Sequence, residues 1–154
     1  MKSEYQLSLK VLEKGAEIGY APHKLPLLLL VPFVQIAWAE GFMQANEQKA
    51  ILRFAANLGV KPGHSSFELL LEWFDERPTD EFFENALEDL SELLKRIPEK
   101  QAARLRTMLQ FGCVETAHAA GDIGLLRGRS NIRREEREHL QIIGARLGLA
   151  QSYI

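Results

Sequence analysis

Apolar residues recur along this chain at three- and four-residue spacing and almost nowhere in strict alternation. Phe83, Leu87, Leu90, Leu94 and Ile97 follow that rule behind a Thr79 cap, and Leu105, Leu109, Cys113 and Ala117 follow it after Pro98. Phe67, Leu70, Leu71 and Phe74 form a third stripe, opened by Ser65 or Ser66 as cap and closed by Arg77-Pro78. The spacing predicts seven helices. They are Glu4–Gly19, Leu25–Glu40, Asn46–Leu58, a fourth across residues 64–76, a fifth from Thr79 to Ile97, Glu99–Ala120, and Arg133–Leu147. Nothing reads as a strand, so the expected fold is all-α. Leu25–Ala39 is almost wholly apolar but interrupted by Pro26, Pro32 and Gln35. A membrane span needs about 20 apolar residues, so this stretch is expected to be a central core helix, kinked at Pro32.

The chain also repeats itself. A shift of 89 positions lays Met43, Glu47, Ile51, Phe54, Leu58, Gly59 and Val60 on Ile132, Glu136, Leu140, Ile143, Leu147, Gly148 and Leu149. The preceding helix recurs at a shift of 80, with Ala37, Ala39 and Gly41 on Ala117, Ala119 and Gly121. The difference places an insertion at about Asp122–Ser130. Duplication of a helix–turn–helix unit predicts one domain of two pseudo-twofold halves, about residues 4–60 and 79–149, bridged by helix 64–76.

Composition narrows the class. With 154 residues, 46% hydrophobic and 26% charged, the chain can build one sizeable core and reads as a soluble globular protein. Its single cysteine, Cys113, lies at helical spacing among apolar residues and is expected to be a buried small hydrophobe. Residues 1–19 carry no continuous apolar run, so a cytoplasmic protein without a leader is expected. The net charge of −2 conceals an asymmetry. Residues 64–99 hold eleven acids against Arg77, Lys95 and Arg96, while Arg127, Arg129, Arg133, Arg134 and Arg137 crowd together elsewhere. Either these are solvated faces, or the acidic helices meet a protein partner and the arginines an anionic one. Without interleaved aromatics, nucleic acid is not indicated.

Candidate chemistry centres on Glu47 and Glu136. Each heads an apolar stripe, so each carboxylate faces the interior at a helix start, which is costly without compensation. One compensation is capping, in which the glutamate accepts the N-cap backbone N–H. Its reciprocal half is expected to be missing, because Gln44 and Arg133 are poor caps. The other is a divalent cation, Ca²⁺ or Mg²⁺, shared with Glu40 and Asp122 at the ends of the preceding helices. A third reading takes Glu115-x-x-His118 and Glu136-x-x-His139, with Glu40 and Glu47, as the ligand set of a di-iron helical enzyme. No phosphate loop, nucleophile elbow or His-Glu-x-x-His motif is present.

Ala39-Glu40-Gly41, then Met43, Glu47 and Leu58-Gly59, resemble the tellurite-resistance TerB-like family over about Leu25–Leu149. That family shows an Ala-Asp-Gly turn, an aliphatic residue two positions on and a glutamate four later. Here Glu40 stands for the usual aspartate, Asp122 follows Gly121, and an arginine-rich insertion intervenes. The resemblance implies the same two-halved helical architecture. It also implies a cytoplasmic, non-enzymatic protein tied to metal or stress response, with an acidic cation site. Related domains begin some membrane-anchored co-chaperones.

Overall fold

A computed structural model describes residues 7–121 and 134–149. Its helices are α1 (Leu9–Glu17), α2 (Leu25–Ala37), α3 (Ala45–Asn57), α4 (Ser65–Asp75), α5 (Asp80–Arg96), α6 (Glu99–Gly121) and α7 (Arg134–Leu147). Among the described residues there is no strand, and the all-α expectation holds.

Helix α2 is the axis. All thirteen of its residues are buried, and α3, α4, α5, α6 and α7 each pack against it. A helix apolar all round is stable in water only when neighbours cover every side. Pro26 occupies its first turn, and the helix runs on through Pro32. It stops at Ala37, three residues before the sequence predicts. There, Ala39 N–H bonds the Ile36 carbonyl at 3.1 Å and Gly41 N–H bonds Trp38 at 2.9 Å, tightening the chain into a turn that Gly41 completes at φ +91°. Trp38 then donates its indole N–H to the Trp73 carbonyl at 2.9 Å, tying α4 to this end of α2.

Local signals set most helix ends. Ser8 Oγ accepts Val11 N–H at 3.2 Å, which starts α1 later than Glu4; residues 4–6 lie outside the described residues. Thr79 Oγ1 accepts Phe82 N–H at 3.0 Å, as its position predicts. The two repeat units end alike. Val60 N–H bonds the Ala55 carbonyl at 2.8 Å and Leu149 N–H bonds Gly144 at 2.9 Å, around Gly59 and Gly148 in the left-handed region. These four residues are partners under the 89-position shift. Helix α4 departs from expectation: its cap is His64, not a serine, and Ser65 and Ser66 form its first two positions. The turn at Gly63 (φ +97°), closed by His64 N–H to the Lys61 carbonyl at 3.1 Å, brings the chain into the helix early.

The core is tightest where α2 crosses α6. Phe33 is fully buried, its ring 5.1 Å from that of Phe54, which in turn lies 5.9 Å from Phe111. The ring also sits over Gly112, where an added Cβ would fall 2.2 Å from Phe33 Cζ. Such overpacking costs about 1–3 kcal/mol. A G112A variant should therefore melt lower by roughly 2–4 °C for each kcal/mol lost. Pairing it with Phe33→Leu should cost less than the two single changes added together; strict additivity in thermal melts would mean the two residues do not share this contact.

Candidate functional site

Glu47 and Glu136 are brought together. Glu47 lies in the first turn of α3 and Glu136 in the first turn of α7, and they retain only 1% and 0% of their exposure. Glu47 Oε1 accepts Gln44 N–H at 2.8 Å, and a capping box forms, so the expectation that its reciprocal half is missing is corrected. Extended geometry at Gln44 (φ −85°, ψ 156°) aims its N–H back at the carboxylate despite the poor capping propensity of glutamine. Glu47 Oε2 is buried with no hydrogen-bond donor, and its carboxyl group meets that of Glu136.

Burial chiefly sets the charge state. It pushes the Glu47 carboxyl up to about 8; the Gln44 N–H opposes this, while Glu136 and then Glu40 reinforce it. The charges that bear on Glu47 are thus both acidic. At neutral pH the pair therefore retains a proton.

Of the other two predicted ligands, only Glu40 is among the described residues. Asp122 lies outside the described residues. Glu40, half-buried in the turn after α2, is felt by Glu47 only as a charge. Among the described residues no three His, Cys, Asp or Glu side chains converge so as to hold a metal ion. The di-iron set of Glu40, Glu47, Glu115, His118, Glu136 and His139 therefore does not form. Its spacing is satisfied on paper, but Glu115 is exposed on α6, whereas Glu136 is sealed inside.

His139 has a different partner that sequence reasoning missed. Its Nδ1 lies 3.3 Å from the Gln35 side-chain amide, and burial, then Arg77, holds the imidazole below its usual range and so neutral. The available signal was Gln35 itself, the one hydrogen-bonding side chain within the apolar run of α2. Cys113 is fully buried as expected, and burial pushes its thiol far up, away from the reactive thiolate.

Several acids of the 64–99 segment are tied internally: Asp80 to Arg77 at 2.8 Å, Glu92 to Arg96 at 2.8 Å, and Glu84 to Arg146. Exposed pairs of this kind contribute about 0–1 kcal/mol each, so they organise the surface more than they stabilise the fold. Residues 127–133 of the arginine cluster lie outside the described residues, while Arg134 reaches Glu138 at 4.0 Å. No helix among the described residues is long and apolar enough to cross a membrane. The fold and site define a helical protein with a buried acid pair. Set against models of known families, characterised proteins and solved structures, the chain matches none of them.

A pH dependence follows from the pair. The folded chain keeps a proton that unfolded Glu47, with its ordinary value of 4.5, releases. Stability from this group is therefore fully present below pH 4.5, declines as pH rises, and levels off above about 8. Glu47→Gln keeps the acceptor for Gln44 and removes the titration. Denaturant unfolding should show the variant gaining on wild type with pH, by up to about 1.4 kcal/mol per unit crossed. A constant difference from pH 5 to pH 9 would mean that the pair does not titrate together.

Proposed function

We propose that this is a TerB-like, non-enzymatic binding protein of the metal- or stress-response kind, acting in the cytoplasm, in which Glu47 and Glu136 exchange their shared proton for a divalent cation. One observation carries the reading: two fully buried carboxyls meet from the first turns of helices that the sequence repeat relates. The orphaned Glu47 Oε2 and the all-oxygen donor set suit hard Mg²⁺ or Ca²⁺. Mg²⁺ in particular is commonly held by one or two carboxylates with water completing its shell. Such a site joins the first half of the repeat to the second, so cation or proton would report on how firmly the halves are held. A link to tellurite resistance belongs to the same reading through the turn motif around Glu40.

A second reading has its own support in the Gln44–Glu47 bond, which accounts for a buried glutamate by capping alone. On it the protein is purely an interaction module. Its partner surface would be the exposed acids of α4 and α5 that form no internal pair, among them Glu72, Glu81 and Glu88. The arginines from Arg127 to Arg137 would meet an anionic partner.

A metal-titrated thermal melt separates the two. A ligand at 100 times its dissociation constant stabilises by about 2.7 kcal/mol, or roughly 5–10 °C here. Mg²⁺ or Ca²⁺ should raise the wild-type melting temperature, more at pH 8 than at pH 5, and leave E47Q/E136Q unmoved. An unmoved wild type would leave the capping reading standing. In that case Glu81→Lys/Glu88→Lys should stay folded yet lose a partner retained by wild type in pull-downs; identical partners would return α5 to a solvated face.

A further inference from the structure

A second site lies away from the acid pair, at the start of α4. Pro22 and His23 from the α1–α2 connection and Pro26 from the first turn of α2 face Leu58, Gly59 and Val60 at the end of α3 and His64, Ser65 and Ser66 at the start of α4. Together they enclose a cavity of about 420 Å³, within the range of small-molecule sites. Its lining is mostly apolar, and His64, Ser65 and Ser66 bring to it the N-terminus of an eleven-residue helix.

What the polar end offers is donors. Phe67 and Glu68 N–H make the first helical bonds, to the His64 carbonyl at 3.1 and 3.3 Å. The N–H groups of Ser65 and Ser66 precede them and have no intrahelical acceptor. A serine cap would have satisfied one of them, but the cap here is His64, whose side chain forms no capping bond. Ser66 is 7% exposed, and its hydroxyl engages no hydrogen-bond partner among the described residues. Ser66 lines the cavity, where its hydroxyl is left to meet a ligand. His23 and His64 add imidazole N–H donors from two separate elements. Glu68, the acid of this first turn, is exposed and does not line the cavity.

Free N–H groups, a hydroxyl and the positive end of a helix dipole together recognise an oxyanion. We infer that this cavity binds the phosphate of a small phosphomonoester, at the Ser65–Ser66 N–H groups and the Ser66 hydroxyl, with the organic part of the ligand on Pro22, Pro26, Leu58 and Val60. The apolar floor favours a flat or aliphatic body over a bare ion.

The test is an amide NMR titration of the full chain with phenyl phosphate, inorganic phosphate and phenol. Phenyl phosphate should saturate with shifts centred on Ser65, Ser66 and Gly59, and bind about tenfold tighter than inorganic phosphate. Phenol should produce no comparable saturation. Ser66→Ala should weaken phenyl phosphate by about tenfold or more, the contribution of one charge-assisted hydrogen bond. His23→Ala, which leaves α4 untouched, should weaken it as well, guarding against a helix-start defect in S66A. The inference is overturned if no saturable shift appears at these residues, if S66A and H23A bind like wild type, or if phenol binds as well as phenyl phosphate.

Discussion

Everything in this fold answers to the burial of α2. Thirteen consecutive buried residues require cover on all sides, and the chain supplies it with five other helices. That demand explains why α6 carries Gly112 where Phe33 lies and why Trp38 is drawn to the backbone of α4. It also gives the one polar side chain of the helix few options. Gln35 must find a partner inside, and His139 of α7 is the group that reaches it.

The acid pair shows opposing electrostatic effects at one point. A helix N-terminus favours a carboxylate, and the Gln44 N–H holds Glu47 in its charged form. Burial and the facing Glu136 act the other way and outweigh it, which is why the group retains a proton near neutrality. Two helix starts that each welcome negative charge bring their carboxyl groups together. Stability and protonation thereby become linked quantities at this point.

Helix α4 illustrates how one residue of register changes chemistry. Had Ser65 or Ser66 been the cap, its hydroxyl would have satisfied the helix start and closed the nearby cavity to anions. With the Gly63 turn placing His64 at the cap instead, the serines enter the helix with their donors unspent. The cavity opens at the N-terminus of α4, and no acidic residue among those described lines it.

How much of this was written in the chain differs from element to element. Helical spacing in Phe83, Leu87, Leu90 and Leu94, the Thr79 cap, the Pro98 break and the paired Gly59 and Gly148 ends were legible, because each depends on neighbours within a turn or two. The inward direction of Glu47 and Glu136 was legible for the same reason, from the apolar stripes they head. Their meeting was not, since it depends on tertiary packing, and neither was the failure of the di-iron ligand set to converge. Spacing along a helix fixes a face but not what lies opposite it. The Gln35–His139 contact and the serine-lined cavity join segments distant in sequence, and tertiary packing alone decided them.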